Sequence, residues 1–398
     1  MKPQEISPKL IIRQSAAGPM TLEPKTINKA KSETMEVPPD MAKTDNMEEA
    51  APPKSKEKEM VLHIDGKLIC LSQIIAQREV LCVCYSEDFE YLAGGYTDGV
   101  IRMFRSDNAE LVKKLEDTDV IRAPTTSMRH RPLSKNYPIM NTITSTYTNG
   151  CVKCWNYNTE QCIYTIREKR QTFGITYHPR LPKFMTYGDD ANIFMYDEET
   201  RIQERILTRS DSPALHDGHT SRVYAGCFNP RSNHEFCSGG WDNVVHFWDL
   251  RQPHALRHLS GIHICGEGID INQKGTELVT CAFQKEKSMQ LWDYPTGKLI
   301  ITLEPDLNNS KLYCGKFVGR DWFITGGADP ALLRILDTQS YTSRAVITNL
   351  PTAVYAVDLG PAIKLKRNPL ERQVKQDLFG FPRFAVAAGK GLYQFEPI

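Results

Sequence analysis

No run of eighteen apolar residues occurs in the 398-residue chain, so no segment reads as a membrane span. The first residues lack the apolar core of a secretory leader, and Leu10-Ile11-Ile12 is a short apolar island only. Neither sign of charge is in excess. Lys and Arg number 49 against 48 Asp and Glu, and the net +1 argues against whole-surface attraction to nucleic acid or membrane. Chemistry-bearing motifs are missing as well. Ala388-Gly389-Lys390-Gly391 lacks the spacing and the hydroxyl residue after Lys that a phosphate loop needs, there is no Gly-x-Ser-x-Gly elbow, and Asp189-Asp190 falls in a turn. No enzyme and no cofactor are expected.

Paired cysteines at metal-binding spacing are scarce. Cys151 and Cys154 share one strand segment, where positions three apart face opposite ways, and no second pair completes a zinc ribbon. His254, His258 and His263 lack acidic or cysteine company and read as surface polar residues, so no metal site is expected. The eleven cysteines are odd in number and scattered, which suggests reduced thiols in a cytoplasmic or nuclear compartment.

Residues 1–59 contain no Trp, Tyr or Phe and balance ten acidic against ten basic residues. Such a segment buries too little apolar area to offset its ordering entropy, so a disordered polar tail is expected. It reads either as a tether carrying a linear motif around Lys9–Arg13 or a phosphorylation site at Ser7-Pro8, or as an inert extension.

What the rest of the chain has is a repeat. Ser238-Gly239-Gly240-Trp241-Asp242-Asn243 leads through Val244-Val245-His246-Phe247 to Trp248-Asp249, placing a turn Asp six residues before an aromatic. Asp98 to Phe104, Asn149 to Trp155 and Asp190 to Tyr196 repeat that spacing, and weaker copies end at Trp292, Leu336 and Phe395. An interval of roughly forty to sixty residues belongs to four-stranded blades rather than short solenoid turns. Short Val-, Ile- and aromatic-rich runs bounded by Gly, Asp, Asn and Pro read as strand, turn, strand.

These residues resemble the WD-repeat β-propeller family over about residues 60–398. The resemblance implies an all-β, seven-bladed propeller of four-stranded antiparallel blades at about 78–115, 120–166, 171–207, 218–259, 264–303, 311–347 and 352–398. The seventh unit lacks an outer strand and residues 60–71 form a spare one, so this latch strand is expected to close the ring and protect its edges. The resemblance also implies a buried hydrogen-bonded tetrad in the fourth unit, His219, Ser238, Asp242 and Trp248. The other units lack its Gly-His pair and are expected to depend more on packing.

Candidate binding residues follow from the repeat register. Aligning first strands on Val223–Phe228 makes Leu81, Pro124, Phe173, Tyr224, Glu267, Tyr313 and Tyr355 equivalent, and in the family this position lies near the channel mouth where peptides dock. Trp241 and Arg222 are expected beside Tyr224. Aromatics and Arg dominate interface energy, although such rings also pack against neighbouring blades. A second candidate surface is two basic loops, with Arg129, Arg131 and Lys135 in one and Lys364, Lys366 and Arg367 in the other. They read as a site for an acidic partner or as a solvated charge run. Trp248-Asp249-Leu250-Arg251 resembles the box by which some WD-repeat proteins attach to a cullin-RING ubiquitin ligase, with Arg251 as the adaptor contact.

The expected function is a non-catalytic scaffold that assembles a multiprotein complex through its faces, binding proteins or peptides as a monomeric propeller, without membrane or nucleic acid. The alternatives are a substrate receptor of a cullin-RING ligase and a cytoskeletal or ciliary axoneme-associated propeller. A cytoplasmic location is expected, with nuclear and ciliary ones as alternatives.

Overall fold

The computed structural model describes residues 62–135, 137–212, 214–303, 309–363, 378 and 380–398. The expected disordered tail, and Lys364, Lys366 and Arg367 of the second basic loop, lie outside them.

Each repeat folds as an antiparallel sheet, and in blades 1 to 5 all strands follow chain order. Blade 4 shows the pattern: Val223–Phe228, Glu235–Gly240, Val244–Asp249 and Ala255–Ser260 pair in sequence. Seven such sheets are present. First strands contact the first strands of the next blade, so they form the inner wall around a central channel. The turn between second and third strands explains the Asp-Gly and Asp-Asn signatures. The residue after the turn Asp takes a positive φ, as Gly99 (86°) and Asn243 (61°) do, a conformation suited to Gly and tolerated by Asn. A Cβ on Gly240 would overlap the Arg222 carbonyl oxygen, which accounts for the second glycine of Ser-Gly-Gly.

The apolar interior is divided. Seven buried clusters occur among the described residues, and each spans two adjacent blades. Tyr187 and Met195 of blade 3 pack with Phe236 and Trp248 of blade 4, while Cys82 and Met103 of blade 1 pack with Tyr147 and Trp155 of blade 2. A single blade buries one face only when its neighbour is in place, so stability belongs to the ring.

Ring closure differs from the expected latch at residues 60–71. Leu68–Ile75 is the fourth strand of blade 7, paired antiparallel with Gly391–Pro397. The preceding strand, His63–Asp65, pairs instead with Ser343–Thr348 as a fifth strand on blade 6. The apolar run from Val61 to Ile75 is broken at Asp65-Gly66-Lys67, where Gly66 has φ 105° and lets the chain step from one blade to the next.

The candidate docking face and the blade networks

The first strands carry a feature that residue patterns alone do not disclose. In six blades the ladder skips one residue near the strand start: Leu81, Thr126, Phe173, Tyr224, Tyr313 and Tyr355. Register puts Glu267 of blade 5 at the same place. A bulged residue leaves the ladder and its side chain is re-aimed. All seven are half-buried and surround one end of the channel. Pro124 of the sequence alignment is corrected to Thr126: with Trp155 matched to Trp248, strand pairing shifts the blade 2 register by two.

The aromatic members fall into two groups. Phe173 stacks on Tyr224 at 5.0 Å between centroids, Tyr224 lies 6.2 Å from Trp241, and Trp241 meets His263 edge-on at 4.5 Å. Trp241 is 46% exposed. Arg222 is exposed beside it, its carbonyl accepting from the Trp241 amide at 2.8 Å. The second group joins Phe283, Tyr313 and Tyr355 at 4.7 and 5.5 Å, with Lys311 over the Phe283 ring. Sequence reading missed Phe283 and His263, although strand register makes Phe283 of blade 5 the counterpart of Trp241, and the Phe283 amide donates to the His263 carbonyl at 2.7 Å as the Trp241 amide donates to that of Arg222. The signal was the repeat position just before the second turn, which was followed in blade 4 alone.

Glu267 separates the groups and does something different. It turns into the channel and forms an ion pair with Arg129, accepts from Ser127 Oγ at 3.2 Å, and has Lys316 Nζ at 3.9 Å. Burial raises a carboxyl pKa, but Arg129 and Lys316 outweigh it and hold Glu267 below its ordinary value. Arg129 therefore does not belong to the basic loop assigned from sequence. It is the last residue of its strand, facing a channel cavity of about 150 Å³ that is also lined by Asp270 and Lys316. Arg131 pairs with Glu198 and lies over Tyr137, and Lys135 is exposed, so the loop offers little unpaired charge.

In blade 4, His219 Nδ1 lies 2.9 Å from Asp242 Oδ2 and its Nε2 lies 2.7 Å from Ser238 Oγ, which accepts from Trp248 Nε1 at 2.7 Å. Burial raises the Asp242 carboxyl, yet the His219 contact and the Thr220 amide hold it below its usual value. These groups are buried and mutually bonded, which suits support rather than chemistry.

The expectation that the other blades depend more on packing needs correction. Blade 3 builds a network from different residues: Arg170 Nη1 meets Asp190 at 2.6 Å, Nη2 donates to Thr186 Oγ1 at 2.9 Å, and Nε donates to Glu168 at 2.7 Å, while the Tyr196 hydroxyl donates to Glu168 at 2.9 Å. Blade 2 keeps the indole bond, Trp155 Nε1 to Ser145 Oγ at 3.0 Å, and sends the buried Lys153 to Asp117 and Asp119 at 2.6 and 2.9 Å. In blade 1, Arg102 grips both oxygens of Asp98 at 3.1 and 2.7 Å.

Arg251 is 70% exposed but bound to its own neighbour, with Nε 2.9 Å from Asp249 Oδ1 and Nη2 at Oδ2. Of the set-aside histidines, His254 Nδ1 is 2.9 Å from the Thr208 carbonyl oxygen, and His258 is exposed with its ring 5.8 Å from that of His216. Among the described residues no helix is long and apolar enough to cross a membrane.

The WD domain, G-beta repeat model matches residues 68–105 and 212–249. The first match starts on the outer strand of blade 7 and ends on the third strand of blade 1, so one sequence repeat straddles two blades. The chain is 24% identical over 214 residues to a striatin homolog of Dictyostelium discoideum, covering 48% of this chain and 24% of that protein. It is 22% identical over 189 residues to a ribosome biogenesis protein WDR12 homolog of Anopheles gambiae, covering 45% and 43%. A coronin-like protein of Saccharomyces cerevisiae is 27% identical over 125 residues, covering 27% and 19%. The chain thus spans less than half of each of these relatives. Two matched repeats and seven four-stranded blades closed in a ring bear out the resemblance to WD-repeat β-propellers, which generally bind other proteins.

Proposed function

We propose that this propeller is a non-catalytic scaffold and that it docks an extended peptide segment of a partner across the aromatic end of the channel. The observation that carries this reading is the Phe173–Tyr224–Trp241 group, which gathers three rings from blades 3 and 4 at a channel mouth and leaves Trp241 46% exposed beside Arg222. Rigid rings bury much area at small entropic cost, and an adjacent exposed guanidinium adds a directional contact to a carboxylate. The channel below offers no competing free charge from Arg129 or Glu267, since each neutralises the other.

The occupant that fits is a segment with an apolar anchor and a nearby acidic residue. Copurification from native cells with wild type and with a Tyr224→Ala, Trp241→Ala double variant tests this. The variant is expected to lose at least one partner while keeping wild-type thermal unfolding. Retention of every partner by a folded double variant would remove the assignment.

A further inference from the structure

Blade 4 departs from blades 1, 2 and 6 at one position. Strand pairing makes His246 the counterpart of Arg102 in blade 1, Lys153 in blade 2 and Arg334 in blade 6. In blade 1 that cation grips both oxygens of the turn carboxylate Asp98. In blade 4 the same place holds an imidazole beside the turn carboxylate Asp242. Two buried atoms are consequently without a hydrogen-bond partner, Asp242 Oδ1 and His246 Nδ1. His246 is 1% exposed and His219 2%, so water cannot reach them freely. Burying such atoms unsatisfied is costly, and the blade as it stands lacks the positive charge that blades 1, 2 and 6 carry at this position.

We propose that a divalent transition-metal ion of the zinc type fills this place, held by His219, Asp242 and His246. One coordinating atom from each lies within 4.8 Å of those of the other two, a spread that small side-chain shifts reduce to the spacing set by ligand bonds of about 2.0–2.2 Å. Two imidazoles and a carboxylate form a donor set suited to zinc. The bond to His219 is at Nδ1, which requires its proton on Nε2, where Ser238 Oγ accepts at 2.7 Å. That contact orients the ring as outer partners of ligating histidines do. Zinc displaces the proton now lying between His219 Nδ1 and Asp242 Oδ2 to solvent, and the ring takes one up from solvent at Nε2, facing Ser238, so the imidazole stays neutral and no net proton is released.

An entry path is also present. The rings of His216 and His258, both exposed, lie 5.8 Å apart, and His258 is 5.9 Å from His246, which in turn is 4.6 Å from His219. Imidazoles thus lead from the surface to the buried pair. Asp242 directly follows Trp241, so the ion would fix the turn that presents the exposed indole. The site itself stands on separate observations from the docking reading.

The test uses the full chain after chelator treatment, titrated with zinc chloride by calorimetry and thermal unfolding. One zinc per chain is expected, with unfolding raised by about 5 °C at a hundredfold excess over Kd. His246→Arg supplies the cation that blade 1 uses and is expected to abolish the zinc-dependent shift without lowering the zinc-free transition. Gln290 holds the equivalent position in blade 5, so His246→Gln is a second variant with a precedent in the same fold, expected to weaken zinc at least tenfold. Cobalt substitution should give visible bands without thiolate charge transfer. A wild type that takes up no zinc, a shift that persists in a folded His246 variant, or a thiolate band would each overturn the proposal.

Discussion

Arg170 and Asp190 meet at 2.6 Å inside blade 3, and the pair stands where His219 and Asp242 stand in blade 4. Arg170 also satisfies Glu168, which is 8% exposed, so one guanidinium serves two carboxylates. Removing it leaves Glu168 buried and uncompensated. Arg170→Met is expected to cost about 3–5 kcal/mol in urea unfolding. The double variant Glu168→Gln, Arg170→Met is expected to cost less than the single one, because it leaves no orphan charge.

Asp270 is the channel group whose ionisation works against folding. Burial raises its carboxyl to about 6, although the Phe317 amide donates to it at 2.8 Å and Lys316 favours the charged form. With the folded value above the unfolded one, the folded state holds the proton more tightly between about 3.8 and 6, so stability falls as pH rises through that window. Asp270→Asn is expected to raise stability by about 1–2 kcal/mol near neutral pH, less than the full shift implies because one acceptor is altered. The gain should vanish toward pH 4 in melting experiments.

His178 acts in the opposite sense. Its Nδ1 accepts the Arg180 and Leu181 amides at 3.0 and 2.9 Å, which leaves no place for a second ring proton. Burial lowers its value to about 4. The unfolded chain then binds more protons between about 4 and 6.5, so stability is lost as pH falls through that window, by about 3 kcal/mol at most. His178→Asn keeps an acceptor without a titrating ring and is expected to flatten this part of the pH profile.

Ala191 occupies the turn position held by Gly99 and Asn243, with φ 64°. A Cβ is disfavoured in that left-handed conformation. Ala191→Gly is expected to stabilise the protein by about 0.5–1 kcal/mol, read from the denaturation midpoint.

Architecture was legible because the turn Asp and the aromatic six residues on recur with every blade, and both are dictated by the turn and the interblade core. Phe173 and Tyr224 were made equivalent by register, since a strand's period of two carries position reliably over a few residues, and the family resemblance put that position, with Trp241 beside it, at the channel mouth. Arg129 was misplaced because its loop is rich in charge and nothing local says where the strand stops. The network of blade 3 escaped notice for a different reason. Arg170 and Glu168 lie before the strand that they support, and geometry rather than residue type makes them equivalent to His219. Closure was anticipated in kind but shifted in register, because two short apolar runs separated by Gly66 offer alternative pairings of similar appearance.

The strand Leu68–Ile75 has a consequence for biosynthesis. It leaves the ribosome before any blade exists, yet its partner Gly391–Pro397 is translated more than three hundred residues later. Through that interval the side chains that end in the core, Leu68 and Ile74, have no neighbour to pack on, and Ile69, Leu71 and Ile75 stay exposed even in the finished ring. The nascent chain must therefore shield this segment, or have it shielded by a chaperone, until the last blade arrives.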